Sequence, residues 1–271
     1  TMRARAAYFA CVSYLDEVIG DLLLRLEAGG LLDETLVVYT SDHGELAGEH
    51  GQWWKHGWYE GCTRVPLIVS SPAQRRGQQP AGRCGTPVGL VDLFPSLCSY
   101  AEVTAPAGLE GADLSATLRG QAGAPDRPVF CDALTPRWGP GTEFRMIRWR
   151  RWKYVRFRDC SPLAFDLVAD PGEQRDLLRC PQDAETAGAL RYLAGLAEDS
   201  MDFEAAERDR TVRDGALSAT YVQGARYPYG NLYRLPDGRV VGADDTLYQP
   251  TVVDPDGRAL FGEGCQEQNP T

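Results

Sequence analysis

The sequence predicts an α/β fold followed by a smaller antiparallel α+β subdomain. A long amphipathic helical pattern over residues 5–28 leads into a short β-branched run at 35–40, which is typical of an αβ unit. A loop rich in Gly, Ala and Pro at 121–128 then precedes several short strand-like runs. The chain has 271 residues, enough for one core and a small subdomain. We therefore predict an α/β part over 1–125, a sheet-and-helix subdomain over 126–214 and a turn-rich extension over 215–271.

The first helix and strand are predicted from the spacing of apolar residues. Apolar side chains recur every three or four residues through the helix, and Gly29-Gly30 supplies a stop. The run at 35–40 is apolar and β-branched, which predicts a buried parallel strand, and residues 65–70 are its parallel candidate downstream. The apolar residues of the helix are Val12, Leu15, Ile19, Leu22 and Leu26.

A polar motif, Ser41-Asp42-His43-Gly44, follows the predicted strand directly. In open α/β sheets, ligands bind outside the carboxyl ends of strands. Asp42 and His43 can offer a carboxylate oxygen and an imidazole nitrogen to one metal ion at that position. Gly44 then lets the backbone turn away without a Cβ clash.

Histidines and one lysine concentrate in and just after this motif. His43, His50 and His56 are all the histidines of the chain, and Lys55 is one of only two lysines. A lysine suits contact with a single oxyanion oxygen, because arginine, which this chain uses nearly everywhere else, favours bidentate contacts. We interpret this Gly- and Trp-rich loop as the candidate site, with His50 either a structural residue or a residue that supports those in contact with the ligand.

The elements of the second half are predicted from alternation and turn residues. Strands are predicted at 129–132, 144–149, 152–157 and 163–167. Alternating apolar and basic residues around Arg150-Arg151 predict a hairpin with one solvated face. A polar, alanine-rich helix at 182–209 is expected to pack across this sheet. The Pro-Asp-Gly turns at 236–238 and 255–257, flanked by short β-prone runs, indicate a paired hairpin.

Composition and charge exclude several classes of protein. The net charge of −10 argues against a general nucleic-acid binder, and we interpret the seven basic residues in 145–158 as a solvated sheet face. No apolar run approaches the roughly 18 residues that span a bilayer. Eight cysteines without C-x-x-C spacing argue against a zinc site. The compartment stays open, with a reducing cytoplasm favoured over secretion.

Several motifs together resemble those of the type I sulfatases of the alkaline phosphatase superfamily. Further segments like those of the family follow at 91–97, 111–115, 151–154 and 165–177. The resemblance implies that the fold is the C-terminal part of an alkaline-phosphatase-like sandwich with a smaller antiparallel α+β subdomain. The motifs of the first part are Ser41-Asp42-His43-Gly44, Gly48-Glu49-His50-Gly51, Trp54-Lys55, Tyr59-Glu60-Gly61 and Arg64-Val65-Pro66-Leu67-Ile68-Val69.

The resemblance also implies roles for individual residues. Asp42 and His43 would be metal ligands, since an Asp-His or Asp-Asn pair binds a divalent cation in this family. Oxygen ligation favours Ca²⁺, and the imidazole keeps Mn²⁺ or Mg²⁺ open. Lys55 would be the catalytic and sulfate-binding residue. His56 would approach the substrate, or lie at the polar rim of the site.

The family's nucleophile is a formylglycine made from the first residue of a C/S-x-P/A-x-R motif. Cys160-Ser161-Pro162-Leu163-Ala164 has the proline but lacks the arginine. We therefore expect the formylglycine on an N-terminal half of the catalytic domain that this sequence lacks. On that basis the isolated chain is expected to be inactive.

The expected function is hydrolysis of sulfate esters, on a sulfated small molecule or a glycan. The expected partner is the N-terminal half of the catalytic domain or another subunit. Two alternatives stay open. The chain is a phosphodiesterase or phosphonate monoester hydrolase of the same superfamily, or it is a non-catalytic fragment that acts as an interaction subunit.

Overall fold

The structure is a computed structural model. It describes residues 1–55, 57–135, 138–220, 232–234, 240–242, 252–253 and 259–260. The chain divides into two compact units, Thr1–Asp209 and Arg210–Thr271. The first unit contains both parts predicted for residues 1–214 almost entirely, and their boundary at 125/126 stays a prediction.

The N-terminal helix α1 spans Met2–Ala28, so it begins three residues before the predicted start. Its end is as predicted: the Gly29 amide donates to the Arg25 carbonyl, and Gly30 has a left-handed φ of 68°. Within the described residues no side chain of α1 is fully buried. Its exposed apolar residues include Phe9, Val12, Leu15 and Leu22.

Strand β1 spans Val37–Thr40, and the chain then forms β2 (Leu46–Ala47), β3 (Trp53–Trp54), helix α2 (Glu60–Thr63) and β4 (Leu67–Ser70). β1 pairs with β4 in antiparallel orientation, so the predicted parallel pairing is wrong. The physical reason is the connection. A parallel pair is usually joined by a crossover helix that carries the chain back to the start of the next strand, whereas here a short hairpin and a four-residue helix lie between β1 and β4. The strand is also half-exposed rather than buried.

Three short helices follow: α3 (Pro72–Arg75), α4 (Leu93–Tyr100) and α5 (Ser115–Leu118). The buried carboxylate of Asp92 holds this region together. It accepts hydrogen bonds from the amides of Gly89 at 2.9 Å and Ala112 at 2.8 Å, and it forms an ion pair with Arg127. A Cβ on Gly111 would lie 2.1 Å from the Val91 carbonyl oxygen. Two of the family-like segments, 91–97 and 111–115, therefore dock on each other.

The predicted four-stranded sheet is confirmed. Its strands follow one another as an antiparallel meander in chain order. The central hairpin turns at Arg150-Arg151, where Arg150 has a φ of 51°. The strands are β5 (Val129–Ala133), β6 (Phe144–Trp149), β7 (Trp152–Phe157) and β8 (Leu163–Asp166).

Both faces of this sheet are covered, so the predicted solvated face is wrong. One face, with Ile147, Trp152, Tyr154 and Ala164, packs against helix α6 (Ala184–Ser200). The other face carries Phe144, Met146, Val155 and Phe157, with Trp58 packed against them. The arginines stay compatible with this burial because they reach the rims and pair with carboxylates. These pairs are Arg145 with Asp132, Arg150 with Asp126, Arg151 with Asp166 and Arg156 with Glu198.

The helix predicted at 182–209 is two helices, α6 and α7 (Phe203–Thr220). The break has a local cause: Met201 is extended, with φ −136°, and the Asp202 carboxylate accepts from the Ala205 amide at 2.9 Å. The packing of α6 on the sheet is as predicted. None of the described helices is long and apolar enough to cross a membrane.

In the second unit, β9 (Leu232–Arg234) pairs with β10 (Val240–Gly242), and β11 (Val252–Val253) pairs with β12 (Ala259–Leu260). Both pairs are antiparallel, which agrees with the predicted hairpin pairing. The Pro-Asp-Gly sequences between the strands lie outside the described residues. The predicted start of the extension at 215 falls within α7.

Candidate functional site

The Asp-His motif lies at the end of β1, where local hydrogen bonds hold it. The Thr40 hydroxyl donates to the Pro66 carbonyl at 2.8 Å, which ties this strand end to the start of β4. The Ser41 hydroxyl donates to the His43 carbonyl at 2.7 Å, and the Asp42 carboxylate accepts from the His43 amide at 3.0 Å. That amide hydrogen bond is the main reason why the pKa of Asp42 is below its usual value.

The two ring nitrogens of His43 have different surroundings. Nδ1 lies 2.8 Å from the Gly44 carbonyl oxygen, which can only accept, so Nδ1 carries the proton and Nε2 offers its lone pair. Nε2 lies 3.6 Å from Oδ2 of Asp42, whose side chain is 84% exposed. This tautomer, with the other ring nitrogen bound to a backbone carbonyl, is the arrangement of metal-ligating histidines.

The donor set of this pair fits a divalent cation as part of a larger site. Two ligand atoms 3.6 Å apart can share one ion at bond lengths of about 2.0–2.6 Å. In the described part of the chain, no group of three or more His, Cys, Asp or Glu side chains is placed to hold a metal. Asp42 and His43 therefore need further ligands from outside the described residues, or water.

Gly44 is required because two backbone segments meet there. Its amide donates to the Cys62 carbonyl at 2.7 Å, and a Cβ on Gly44 would lie 2.1 Å from the Gly61 carbonyl oxygen. The predicted need for a residue without Cβ is confirmed, and the cause is this close approach. The loop that carries Asp42 and His43 is thus fixed against the segment that follows Lys55.

A short hairpin brings Lys55 back toward the Asp-His motif. Leu46 pairs with Trp54 across β2 and β3, so Lys55 follows directly after a strand whose partner begins three residues after His43. Trp54 has a φ of 73°, which is rare for a bulky residue and marks strain just before Lys55. His56, the other predicted substrate-binding residue, lies outside the described residues.

The remaining aromatic residues of the loop pack within the protein. Trp58 makes edge contacts with Phe144 and Phe157, with ring centroids 5.7 and 4.7 Å apart. His50 stacks on Tyr59 at 3.6 Å, in agreement with a structural role. Burial raises the pKa of Tyr59. Trp58 is thus a packing residue, whereas Trp54 of the same loop is 60% exposed.

Sequence reasoning missed Lys153, the second lysine of the chain. Its side chain is 0% exposed, and its ammonium group lies 2.7 Å from a carboxylate oxygen of Glu60, 2.7 Å from one of Glu173 and 2.9 Å from the Trp58 carbonyl oxygen. Lysine is rare in this arginine-rich chain, and that rarity, which drew attention to Lys55, applies equally to Lys153.

One serine segment does match the nucleophile pattern in full. Ser71-Pro72-Ala73-Gln74-Arg75 fits S-x-A-x-R, yet the structure assigns it a purely structural role. Ser71 is 1% exposed and caps α3, with its hydroxyl oxygen accepting from the Gln74 amide at 3.1 Å. Cys160, the nearest match among cysteines, is exposed in the loop before β8. The Arg75 guanidinium donates to the backbone carbonyls of Leu32, Thr35 and Ser70.

Known proteins similar to this chain include several sulfatases. The family model described as Sulfatase matches residues 1–103. Choline-sulfatase of Rhizobium meliloti (strain 1021) is 33% identical over 234 residues, which cover 84% of this chain and 44% of that protein. Arylsulfatase K of Xenopus laevis is 36% identical over 181 residues, covering 62% of this chain and 32% of that protein. The chain thus spans less than half the length of these relatives.

Solved structures give the same picture. One is a protein in complex with its substrate D-glucosamine-2-N,6-O-disulfate; it has a TM-score of 0.58 and 31% identity, and the match covers 71% of this chain and 39% of that one. Another is the phosphonate monoester hydrolase of Agrobacterium radiobacter, with a TM-score of 0.57 and 25% identity, covering 88% of this chain and 45% of that one.

Proposed function

Because this chain belongs to the sulfatase family of the alkaline phosphatase superfamily, we propose that it carries part of the metal and sulfate-binding site of a sulfuric ester hydrolase. Its fold is that of the C-terminal part of an alkaline-phosphatase-like sandwich with a smaller antiparallel subdomain. The observation that supports the proposal is the pairing of β2 with β3, a hairpin that begins three residues after His43 and ends directly before Lys55.

The proposed roles follow from the chemistry of each side chain. Asp42 and the Nε2 atom of His43 hold the cation, most simply Ca²⁺, and when bound the cation neutralises charge on the sulfate ester and polarises it. The Nδ1–H hydrogen bond to the Gly44 carbonyl keeps Nε2 available for this ligation. Lys55 contributes an ammonium group that contacts a sulfuryl oxygen and stabilises the negative charge that develops as the S–O bond breaks. His56 contributes on the substrate side.

The nucleophile comes from outside the described residues in this proposal. Ser71 is committed to a helix cap and Cys160 lacks the arginine of the motif, so neither supplies a formylglycine. The proposed partner is a segment that carries this nucleophile, either the N-terminal half of the catalytic domain or another subunit. The exposed apolar face of α1, with residues such as Leu15 and Leu22, supports such a partner.

The test combines these 271 residues with a segment that carries a C/S-x-P/A-x-R nucleophile motif, either fused in one polypeptide or supplied as a partner subunit. Lys55→Ala is expected to lower turnover of an aryl sulfate by about 100-fold or more, because an oxyanion contact of this kind is worth at least that much. Asp42→Ala is expected to remove bound calcium in elemental analysis. Arg150→Ala is the matched control, because it removes an exposed cation at the turn of the β6–β7 hairpin, where Arg150 pairs with Asp126.

Two results would reject the assignment. Calcium content that is unchanged in Asp42→Ala would remove the metal role, and full turnover by Lys55→Ala would remove the sulfate role. The isolated 271 residues are expected to show no turnover. Hydrolysis by the pure chain, abolished by Lys55→Ala, would show that the nucleophile lies within it.

The second candidate is a phosphonate monoester hydrolase. It is favoured by one observation, the match to the Agrobacterium radiobacter enzyme over 88% of this chain. The relatives at 33% and 36% identity are sulfatases, which favours sulfate esters. Parallel assays of an aryl sulfate and an aryl phosphonate on the same preparation distinguish the two, and a higher kcat/KM for the phosphonate would select the second candidate.

A further inference from the structure

The buried ammonium group of Lys153 connects two parts of the chain that are far apart in sequence. It donates hydrogen bonds to the Trp58 carbonyl oxygen and the Glu173 carboxylate and forms an ion pair with the Glu60 carboxylate, although its side chain has no exposed surface. Trp58 and Glu60 belong to the segment directly after Lys55. The ammonium group therefore holds that segment against the middle of the four-stranded sheet.

Glu173 completes this connection from a turn after β8. One carboxylate oxygen accepts from Lys153 at 2.7 Å, and the other accepts from the Glu60 amide at 2.7 Å, which is the first amide of α2. The side chain of Glu173 is 3% exposed, and its backbone has a left-handed φ of 52°. The left-handed backbone and the buried charge of Glu173 are both unfavourable, and its contacts with the Lys153 ammonium group and the first amide of α2 offset them.

The segment held by Lys153 and Glu173 is in turn packed against the Asp-His loop. The Cys62 carbonyl accepts from the Gly44 amide at 2.7 Å, and Gly61 approaches Gly44 too closely for any Cβ. On the other side, Tyr59 stacks on His50. A shift of residues 58–62 would therefore displace the Asp-His loop and Lys55 relative to each other.

We propose that Lys153 and Glu173 are positioning residues, which fix residues 58–62 and so set the distance between the Asp42–His43 pair and Lys55. The part that concerns catalysis rests on the proposed function. Lysine suits this place because a compact ammonium reaches three acceptors in different directions, whereas the planar guanidinium of arginine does not. The antiparallel subdomain thereby contributes to the site without touching the substrate.

The first test measures amide hydrogen exchange in the 271-residue chain without metal or substrate. Lys153→Met is expected to speed exchange of the Gly44 and Glu60 amides by 10-fold or more, while amides within the β6–β7 pairing keep their protection. Arg150→Met is the control from the same hairpin, because its ion pair with Asp126 is exposed and touches neither loop. Wild-type protection of the Gly44 amide in a folded Lys153→Met protein overturns the proposal.

A second variant covers the case in which Lys153→Met fails to fold. Lys153→Met with Glu173→Gln removes the two fully buried charges, and buried ion pairs replaced as a unit are often tolerated. The Glu60 carboxylate that remains belongs to a side chain that is 22% exposed, so water can solvate it. The expected result is the same faster exchange at Gly44 with the sheet protected. A folded double variant with unchanged exchange at Gly44 overturns the proposal. Lys153→Arg is expected to give no rescue of protection at Gly44, and rescue would contradict the geometric argument.

A kinetic test then separates the positioning role from the proposed function. In the assembly that hydrolyses an aryl sulfate, the double variant is expected to lower kcat by about 100-fold with KM changed less than 3-fold, as misplacement by about 1 Å does. If the wild-type assembly is active and the double variant has an unchanged kcat, the positioning role is overturned while the proposed function stands. Absence of wild-type activity rejects the proposed function, and the exchange experiment then decides the positioning role alone.

Discussion

The substitution Gly44→Ala tests how the Asp-His loop is held. A Cβ at this position would lie 2.1 Å from the Gly61 carbonyl oxygen and 3.3 Å from the Cys62 carbonyl oxygen. Both are backbone atoms, so no side chain can rotate away. The two segments would have to separate by about 1 Å to restore an ordinary contact in this packed region.

The expected cost follows from the two contacts that such a separation changes. Inserting a methyl group into a packed backbone contact costs about 1–3 kcal/mol, and weakening the 2.7 Å hydrogen bond from the Gly44 amide to the Cys62 carbonyl costs about 1 kcal/mol. Together we expect Gly44→Ala to lower the free energy of unfolding by about 2–4 kcal/mol. That is a large share of the roughly 5–15 kcal/mol that stabilises a typical domain.

Urea unfolding followed by circular dichroism measures this change. Gly195→Ala is the matched control: Gly195 is exposed within α6, and nothing lies within 4 Å of an added Cβ. An alanine there is expected to stabilise by about 0.5–1 kcal/mol, because it restricts the unfolded chain. If Gly44→Ala leaves the free energy of unfolding within about 0.5 kcal/mol of wild type, the close approach is not a constraint and the reasoning is refuted.

Three further predictions concern residues outside the Asp-His loop. Burial alone would raise the pKa of Asp166, but hydrogen bonds from Arg151 and two backbone amides outweigh it and lower that pKa. Because the folded pKa is depressed, the stability that this carboxylate contributes is present above its unfolded pKa near 3.8 and is lost as pH falls through the folded pKa. In acid unfolding curves, the difference in unfolding free energy between Asp166→Asn and wild type should therefore become smaller as pH falls. Asp92→Ala should lower the free energy of unfolding by about 3–5 kcal/mol in urea titrations, because it leaves two amides and Arg127 without their buried partner; a loss below about 1 kcal/mol would contradict this. Ser71→Ala should cost about 1 kcal/mol through loss of the helix cap, and mass spectrometry should find Ser71 unmodified; a formylglycine there would overturn its structural role.

Much of the subdomain was predictable from sequence because its signals are local. The hairpin over 144–157 matches its predicted strands residue for residue, since alternation with a period of two and the Arg150-Arg151 turn act between neighbours. The solvated face was predicted wrongly because the same alternation does not report what covers a strand. Here the basic side chains reach the rims of the sheet or, in Lys153, a buried pair of carboxylates.

The candidate site was predictable in composition but not in arrangement. The Asp-His motif and the concentration of histidines around Lys55 were visible as residue types in one window. The His43 tautomer, by contrast, depends on a carbonyl 2.8 Å from Nδ1, and the hairpin between His43 and Lys55 depends on a two-residue strand pair. Neither leaves a periodic signal, because each depends on a few backbone atoms placed by the surrounding fold.

By itself the sequence determined the first helix and its glycine stop, the strands of the four-stranded sheet and the motifs that mark the sulfatase family. These depend on residues within a few positions of one another, where backbone sterics and side-chain spacing act directly. Only the tertiary structure decided that β1 and β4 run antiparallel, that Gly61 leaves no room for a Cβ at Gly44, and that Glu173 binds the Glu60 amide 113 positions away. The physical reason is that such contacts form only when the chain has folded back on itself, so their energies depend on partners that no local pattern identifies.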